Sequence, residues 1–197
     1  MIPEQIKQFI EVFSRLPAIG PRMATRLAFY FASLDKKDIE RFESALLELK
    51  EMRRCARCFF WGEGELCAIC VNPTRNPRMV AIVERETDLL SIEKTRAFKG
   101  VYLILGELSR RETLTDEQKK RLASLKARIA KDYSSEIDEI VIALGPHTLG
   151  DFASDMIAQG FKDMAKKITR LGRGIPTGGE VEFADEETLK NALETRR

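Results

Sequence analysis

The sequence predicts a mixed α/β protein in which a helical N-terminal module and a small metal-binding module precede a parallel β-sheet with flanking helices. Apolar residues recur at helical spacing over the first fifty residues. All four cysteines of the 197-residue chain fall in two Cys-x-x-Cys pairs, which eight residues separate. Beyond residue 78, short β-branched apolar runs alternate with helical patterns, and this alternation is typical of parallel strands covered on both faces.

The N-terminal module is predicted to begin with two helices joined by a short hairpin. Two sets of apolar residues follow helical spacing: Ile6, Phe9, Ile10 and Phe13, then Ala24, Leu27, Ala28 and Phe31. Between them, residues 17–21 read Pro-Ala-Ile-Gly-Pro. Pro21 suits the first turn of a helix, where its missing N–H is not needed, and Gly20 permits the backbone geometry before it. A third helix is predicted with four residues facing inward: Ile39, Phe42, Leu46 and Leu49.

Two basic residues, Arg22 and Arg26, lie one helical turn apart at the start of the second helix. Such a hairpin can turn the backbone N–H groups of a helix N-terminus toward a phosphate, with the two arginines beside it. The alternative is an ordinary helix–turn–helix corner with solvated arginines. These residues alone leave both interpretations open.

The four cysteines predict one structural Zn²⁺ site per chain, formed by Cys55, Cys58, Cys67 and Cys70. Two disulfides would need an oxidising compartment, and a redox Cys-x-x-Cys would leave one pair unexplained. A closed four-sulfur site keeps no open coordination position, so we expect the metal to stabilise the fold rather than to catalyse. In small zinc modules this stabilisation is about 10–16 kcal/mol.

The chain after the cysteines is predicted to change from a turn-rich linker at residues 71–78 to alternating strands and helices. Strands are predicted at residues 79–83, 101–105, 140–144 and about 167–171. Helices are predicted around Leu89 and Ile92, around Leu122, Leu125 and Ile129 after a Thr115–Gln118 capping box, and around Phe152, Met156 and Ile157 up to Gly160. A glycine-rich turn at 172–179, a short strand at 180–183 and a helix with Leu189, Ala192 and Leu193 follow.

Composition indicates an ordinary soluble chain, with 44% hydrophobic and 32% charged residues. The net charge of +2 is too small to create a global field for nucleic acid, so any such binding would depend on local clusters. The longest apolar runs, residues 101–105 and 140–144, are too short to span a bilayer. The first residues lack the basic and apolar regions of a signal peptide. We therefore expect a cytoplasmic protein.

Four segments, taken in order, closely resemble the RecR family of bacterial recombination mediators. They are residues 16–22 (Leu-Pro-Ala-Ile-Gly-Pro-Arg), the four cysteines, residues 81–84 (Ala-Ile-Val-Glu) and residues 173–180 (Arg-Gly-Ile-Pro-Thr-Gly-Gly-Glu). The resemblance extends from about Ile6 to Leu193. The cysteine pattern is strong but generic, whereas the C-terminal glycine- and proline-containing segment is nearly diagnostic.

The resemblance implies a domain order and a function. It implies a helix-hairpin-helix module over residues 1–53, a four-cysteine zinc finger over 54–71, a Toprim domain over 79–171 and a C-terminal oligomerisation segment over 172–197. RecR proteins bind gapped, single-stranded and double-stranded DNA and assemble from dimers into a tetrameric ring. They act with RecO and RecF to load RecA at single-strand gaps. The resemblance thus implies a cytoplasmic, nucleoid-associated protein that works without a membrane and is not an enzyme.

The family's DNA-contacting basic pair corresponds to Arg22 and Arg26 of this chain. The hairpin departs from the family pattern at Ala18, where the motif usually has glycine, and a stiffer hairpin tip is the expected consequence. A second departure is the segment at residues 106–114, which stands in place of a longer glycine- and proline-containing loop and affects an expected partner-contacting surface.

Toprim enzymes use a glutamate after the first strand as acid/base, and an Asp-x-Asp pair after a later strand holds Mg²⁺. Glu84 matches the glutamate, whereas Gly145 and His147 stand in place of the two aspartates. Glu84 and Asp151 remain as oxygen ligands, and we expect them to be vestigial or to contact a partner. His147, the only histidine, is expected to be an exposed loop residue. Two alternatives stay open: a Mg²⁺-dependent phosphotransfer enzyme on DNA, and a repair scaffold with little DNA affinity.

Overall fold

The computed structural model describes residues 2–109, 114–172, 174–175, 177–194 and 196. The chain divides into two compact units, Met1–Met52 and Arg53–Arg197. Among the described residues, every helix is too short or too polar to cross a lipid bilayer.

The first unit contains three helices: α1 (Glu4–Phe13), α2 (Pro21–Ser33) and α3 (Lys36–Glu51). Helix α2 begins at Pro21, as predicted, and its N-cap is Gly20, whose φ of −85° any residue can adopt. Helix α3 is capped by Asp35, whose carboxylate accepts a hydrogen bond from the backbone N–H of Asp38 at 2.8 Å. The predicted helix, hairpin and second helix are confirmed, as is the existence of the third helix.

Aromatic rings form the core of this first unit. Phe9 stacks on Phe13 with their ring centroids 3.8 Å apart, and Phe31 lies against both rings at 5.3 and 6.0 Å. The buried Ala24 and Ala28 leave room for α1 and α2 to approach closely. The unit thus relies on a few large side chains rather than on many buried residues.

The predicted inward face of α3 is wrong over most of its length. Phe42 contacts the edge of Phe31 at 4.8 Å, yet Leu46 and Leu49 are 64% and 63% exposed. Helix α3 makes little backbone contact with α1 and α2, so the helices cover only its N-terminal half. Sequence periodicity located the apolar face of α3 but could not show whether another element covers it.

The second unit begins with the cysteine module. Strand β1 (Arg53–Arg54) pairs antiparallel with β2 (Trp61–Gly62), and the short helix α4 (Ala68–Val71) follows. The predicted linker at 71–78 is too long, because strand β3 already begins at Asn76. The backbone N–H of Asn76 donates to Lys99 O at 2.8 Å, and this distant partner extends the strand into a turn-rich segment.

A four-stranded sheet follows, and all of its strands are parallel. Its strands are β3 (Asn76–Val83), β4 (Gly100–Ile104), β5 (Ile137–Ala143) and β6 (Ala165–Arg170), in the spatial order β4-β3-β5-β6. The four predicted strands and their parallel arrangement are confirmed. Val83 at the end of β3 lies opposite Ile104 and Ala143. The residues that follow these three strands therefore lie together at the carboxyl ends of the strands, which we call the sheet edge.

Three helices flank the sheet: α5 (Glu86–Thr95), α6 (Asp116–Asp132) and α7 (Thr148–Phe161). The predicted capping box of α6 is present, because Thr115 N–H donates to the Gln118 side chain at 2.8 Å and Gln118 N–H donates back at 3.3 Å. Helix α7 ends at Phe161, one residue beyond the predicted Gly160.

The two faces of the sheet pack against different partners. Val80 and Ile82 of β3 belong to a core cluster with the inner residues of α6 and α7. Ala81 and Val83 belong to a second cluster, which contains Leu89 of α5 and three of the cysteines. Both faces of the sheet are therefore buried, as predicted, but the cysteine module as well as helices packs against one of them.

The C-terminal segment contains helix α8 (Glu186–Glu194), preceded by a single 3₁₀ turn at Val181–Phe183. The predicted strand at 180–183 is wrong. No described strand pairs with this segment, so its backbone bonds locally, from Phe183 N–H to Glu180 O at 3.2 Å. In the predicted glycine-rich turn, Arg173 and Pro176 lie outside the described residues, as do residues 110–113 of the loop after β4.

Candidate metal centre and nucleic-acid interface

The four cysteine sulfurs converge on one point. All four Sγ atoms lie within 4.8 Å of one another, and Cys58 Sγ is 3.4 Å from Cys67 Sγ. All four are free thiols. A tetrahedral Zn²⁺ with Zn–S bonds of about 2.3 Å holds its sulfurs about 3.8 Å apart. The geometry therefore fits one metal ion, and the described parts of the chain contain no other cluster of three or more His, Cys, Asp or Glu ligands.

Backbone hydrogen bonds build the two turns that carry these sulfurs. Phe59 N–H donates to Cys55 O at 3.0 Å, and Cys55 N–H donates to Phe60 O at 2.7 Å. Phe60 N–H points at Cys58 Sγ from 3.4 Å. Ala56 N–H donates to Glu65 O at 2.9 Å and so joins the first cysteine turn to the segment that precedes the second. The main chain orients the thiols for metal binding.

The thiols differ in acidity. Burial raises the pKa of Cys55, but backbone N–H groups of Cys67, Cys58 and Arg57 outweigh burial and lower that pKa to about 7. Burial raises the pKa of Cys67 to about 11, and a hydrogen bond that the Cys58 thiol donates to Cys70, together with burial, raises the pKa of Cys58. A divalent cation among the sulfurs favours all four thiolates. Metal binding must therefore release protons from the cluster.

The cysteine module is attached to the edge of the sheet. Ile104 N–H of the edge strand β4 donates to Cys58 O at 2.9 Å, and Phe59 packs against both core clusters. The guanidinium of Arg121, on α6, lies 4.9 Å from the Phe59 ring centroid and donates to Ile104 O at 3.0 Å. Because the four cysteines adjoin these contacts, a metal bound by them would fix a module that is part of the sheet's own core.

Arg121 was not predicted, although it is 8% exposed and bridges the helix, the edge strand and the cysteine module. It also pairs with Glu117 one helical turn earlier. In the sequence it stands in a basic run, Lys119-Lys120-Arg121, which is typical of a solvated helix face. Its burial depends on a module more than fifty residues away, so no local signal could have identified it.

The start of helix α2 offers a second, exposed site. Arg22 and Arg26 are both exposed, and neither forms an ion pair with an acid in the described part of the chain. No side chain caps the helix, and its N-cap is Gly20. The free N–H groups of the first turn and the two guanidinium groups are therefore available to an anion.

Ala18 occupies the strained position of the hairpin. Its φ angle is +61°, in the left-handed region that glycine adopts without a steric penalty. The turn is closed by Ile19 N–H, which donates to Leu16 O at 3.1 Å. The predicted departure at residue 18 thus falls where a side chain costs about 1–2 kcal/mol.

Glu84 lies at the edge where the strands end, and it is only 7% exposed. Its Oε1 accepts a hydrogen bond from Leu108 N–H at 3.1 Å. Nε of Arg85 lies 3.7 Å from Oε1, and Nε2 of His147 lies 3.9 Å from Oε2. Asp151, the other predicted acid, lies in the first turn of α7 and is half-buried. The Glu84 carboxylate therefore fixes the backbone of Leu108, shortly after β4.

His147 is half exposed, but it is more than a loop residue. Its Nδ1 accepts a hydrogen bond from Gly150 N–H at 3.1 Å and caps helix α7. A Cβ atom at Gly145 would approach the His147 ring to 3.0 Å, and one at Gly150 would approach Gly145 O to 2.0 Å. The imidazole thus occupies the space that a ligand side chain at position 145 would need.

Comparison with known proteins gives matches along the whole chain. Four family models match: RecR helix-hairpin-helix at residues 6–50, RecR four-cysteine zinc finger domain at 52–72, Toprim domain at 78–172 and RecR C-terminal at 174–197. The chain is 37% identical to a recombination protein RecR of Chloroflexus aurantiacus, over 100% of this chain and 96% of that protein. It is also 37% identical to the RecR protein of Lactococcus lactis subsp. cremoris, over 98% and 97% of the two chains.

Proposed function

The chain belongs to the RecR family of recombination proteins, and on this basis we propose that it acts in DNA repair as a non-enzymatic, DNA-binding recombination mediator. The observation that supports DNA binding most directly is the exposed pair Arg22 and Arg26, which has no acidic partner among the described residues and lies beside an uncapped helix N-terminus. These groups recognise phosphate oxygens rather than base edges. Binding should therefore be independent of DNA sequence.

The contact is expected to combine two kinds of donor. Backbone N–H groups in the first turn of α2 approach one phosphate, and Gly20 has no Cβ to keep that phosphate at a distance. Arg22 and Arg26 add charged donors on the same side of the helix, where they can reach neighbouring phosphates. Single-stranded, double-stranded and gapped DNA all present such phosphates, so all three are proposed ligands.

The four-cysteine site supports this function through the fold. Its geometry fits Zn²⁺ held by Cys55, Cys58, Cys67 and Cys70, and a bound Zn²⁺ supplies stability rather than reactivity because no coordination position stays open. The module contacts strand β4 and helix α6. Loss of the metal should therefore disturb the sheet as well as the module.

Assembly and partners belong to the same proposal. The C-terminal segment exposes large apolar side chains, among them Val181 at 64%, Phe183 at 80% and Leu193 at 62%, and such a surface is suited to contact with another copy of the chain. We propose dimers that assemble into tetramers, and RecO- and RecF-type proteins as partners in RecA loading. A cytoplasmic, nucleoid-associated location follows from that role.

The chemistry of the sheet edge favours a binding protein over a Mg²⁺-dependent enzyme. Gly145 offers no ligand, and imidazole nitrogen is a poor ligand for Mg²⁺, which prefers carboxylate oxygens. Glu84 is engaged by Leu108 N–H and faces the ring of His147. We therefore assign Glu84 a structural role and retain Asp151 as a residue that contacts a partner.

The test is DNA binding over a salt series, with gapped and duplex substrates and the zinc-loaded protein. The double variant Arg22→Ala/Arg26→Ala should weaken binding and make the dependence of affinity on salt shallower. The matched control is Arg15→Ala/Arg41→Ala, which removes the same charge from the same unit at residues that already pair with Glu11 and Asp38. Equal effects of the two double variants would show that net charge, not the hairpin site, determines binding.

A scaffold with little DNA affinity is the second candidate function. The substituted residue Ala18, held at a φ of +61° in the hairpin tip, is the specific observation that favours it. Absence of salt-sensitive binding by a folded, zinc-loaded protein would establish that alternative. Nicking of supercoiled DNA in Mg²⁺ that disappears in Glu84→Gln would instead establish the enzyme.

A further inference from the structure

A cavity of about 230 Å³ lies where the second cysteine turn meets the start of strand β3 and the C-terminal end of helix α6. Its lining includes three arginines, Arg57, Arg75 and Arg128, and the ring of Tyr133. None of its described lining residues carries a carboxylate. Three guanidinium groups thus line one cavity of a chain whose overall net charge is only +2.

The three arginines differ in how their charge is balanced. Arg75 forms a two-point ion pair with Glu93 and also donates to the carbonyl oxygens of Phe98 and Gly100, at 3.3 and 3.2 Å. Its charge is therefore used within the fold. Arg57 and Arg128 have no carboxylate partner among the residues that the structure describes. Among the described residues, Arg128 donates a hydrogen bond to the backbone oxygen of Arg57 alone, at 2.9 Å.

Both guanidinium groups line the same cavity without a carboxylate to offset their charge, so an anion bound there would be attracted to both. Guanidinium presents paired N–H donors that match phosphate oxygens. The cavity has room for several water molecules or for one tetrahedral anion. Charge and size both point to an oxyanion as the ligand.

Tyr133 restricts the identity of that anion. Its half-buried ring forms a wall of the cavity together with Pro77. Arg78 lies 5.7 Å from the ring centroid and is itself held by Asp138 at 3.3 Å and by Glu136 O at 2.9 Å. An aromatic wall beside a charged site suits a phosphate that carries a sugar and a base, which can lie against the ring.

We propose that this cavity binds the phosphate of a nucleotide, with Arg57 and Arg128 as its charged ligands and Tyr133 against the attached sugar or base. A strand of DNA and a free mononucleotide both present this chemistry. Where the source is DNA, the inference rests on the proposed function and adds a phosphate contact in the second unit of the chain.

A competing role for the arginines is to offset the charge of the metal centre. Zn²⁺ with four thiolates carries a net charge of about −2, and Cys70 itself lines the cavity. If Arg57 and Arg128 serve only that purpose, their removal will weaken zinc retention and will not change phosphate binding. Zinc content must therefore be measured together with ligand affinity.

The experiment uses the full chain loaded with zinc and titrates it with thymidine monophosphate, inorganic phosphate and a pentathymidylate at constant ionic strength, by calorimetry. Arg57→Gln and Arg128→Gln should each lower the affinity for thymidine monophosphate about tenfold, because each removes one charge-assisted hydrogen bond. Tyr133→Leu should lower the affinity for thymidine monophosphate and for the pentathymidylate, and it should leave the affinity for inorganic phosphate unchanged. Arg41→Gln, which removes an exposed and paired arginine of the first unit, is the matched control.

Arg57→Gln remains decisive if Arg128→Gln perturbs the fold, because the hydrogen bond from Arg128 reaches the backbone oxygen of residue 57, which the substitution keeps. The same titrations with Arg22→Ala/Arg26→Ala separate the two sites. That variant should keep the affinity for thymidine monophosphate, while Arg57→Gln should keep the hairpin's contribution to duplex binding.

Three results would overturn the inference. The first is no binding of any phosphate probe by the wild-type protein. The second is equal weakening by Arg57→Gln and by Arg41→Gln. The third is loss of zinc from Arg57→Gln with unchanged phosphate affinity. If the pentathymidylate binds at the cavity more tightly than the mononucleotide, a DNA strand is the source of the phosphate; equal affinities indicate the free nucleotide.

Discussion

The two units of this protein use their charged groups in opposite ways. In the first unit, Arg22 and Arg26 are exposed beside an uncapped helix end, and the only buried side chains of helix α2 are two alanines. In the second unit, Arg75 and Arg121 are largely buried and bonded to acids and carbonyls of the protein. Charges that the fold has already paired stabilise it, whereas unpaired charges remain available to a ligand.

The same difference applies to apolar surface. The sheet of the second unit has a continuous core on each face, one of which includes three cysteines. The first unit leaves Phe29, Tyr30 and Leu46 each more than half exposed. The second unit is therefore expected to determine stability, and the first to carry a surface for contacts with DNA or with other chains.

Removal of the metal should have the largest effect, and that effect should be on the stability of the second unit. Chelation, or Cys67→Ser, should destabilise the second unit by several kcal/mol, because small zinc modules gain about 10–16 kcal/mol from the metal. Calorimetry with parallel zinc analysis measures the change, and restoration by Zn²⁺ but not by Mg²⁺ is the control. A folded, cooperative second unit after complete zinc loss would show that the sheet does not depend on the module.

The metal effect should depend on pH in a defined direction. Because the pKa of Cys67 is raised to about 11 and that of Cys58 is also raised, these thiols must lose protons for the metal to bind. Zinc affinity should therefore fall as pH falls from about 8 to about 6. Calorimetric titration with zinc in buffers of different ionisation enthalpy would measure the number of protons released on binding. A zinc affinity independent of pH would contradict four-thiolate coordination.

Glu93→Ala should have the next largest effect. Arg75 and the hydroxyl of the fully buried Tyr102 both donate to the Glu93 carboxylate, and loss of this partner should cost about 3 kcal/mol. The Arg75 guanidinium holds the pKa of Glu93 below its usual range. The stability from Glu93 is thus present above the unfolded pKa and is lost as pH falls through the lower folded pKa.

Urea unfolding of Glu93→Ala at neutral pH and at lower pH measures both parts of that prediction. Glu11→Ala is the control, because Glu11 forms an exposed pair with Arg15 in the first unit and should cost less than about 1 kcal/mol. Equal losses of unfolding free energy in the two variants would mean that the buried network of the second unit stabilises the fold no more than a solvated ion pair does.

Glu84→Gln should have a smaller effect. Glutamine keeps an oxygen that can accept from Leu108 N–H, so we expect a loss of about 1 kcal/mol from the weaker, uncharged hydrogen bond. DNA affinity should not change, since the proposed DNA contacts lie at Arg22 and Arg26. A binding assay with and without Mg²⁺ tests this, and a large Mg²⁺-dependent loss in the variant would restore the metal hypothesis for the sheet edge.

Ala18→Gly should have the smallest effect, in the stabilising direction. Relief of the left-handed strain is worth about 1–2 kcal/mol, and the greater freedom of glycine in the unfolded chain offsets part of it. We expect a gain of about 0.5–1 kcal/mol. Ala45→Gly, on the exposed face of α3, should instead lose about 1 kcal/mol. Destabilisation by both glycines would show that the hairpin tip is not strained.

Local sequence patterns were sufficient for the elements whose bonds are local. The helices around Phe9, Ala24 and Leu125, the capping box at Thr115 and the four-cysteine site were all predicted, because each depends on spacing within a few residues. The four strands were predicted as continuous apolar runs, because a parallel sheet is buried on both faces.

The errors occurred where a distant partner decides the structure. Strand β3 begins at Asn76 because its N–H meets Lys99 O, and residues 181–183 form a turn where no described strand pairs with them. His147 is exposed, as expected, but the sequence did not indicate that its ring caps α7 and faces Glu84. Backbone and side-chain hydrogen bonds between segments far apart in sequence leave no periodic signal.

The sequence by itself determined most of the helices and strands and the four metal ligands, because short spacings encode them. The family was identified from motifs that stand in order along the chain, and the basic pair Arg22 and Arg26 stays a prediction. Only the tertiary structure decided which charges are paired and which are free. Arg121 and Arg128 lie on the same helix and look alike in the sequence, yet one is buried under the cysteine module and the other lines a cavity beside two further arginines. A charge acquires its role from the groups that the fold places around it.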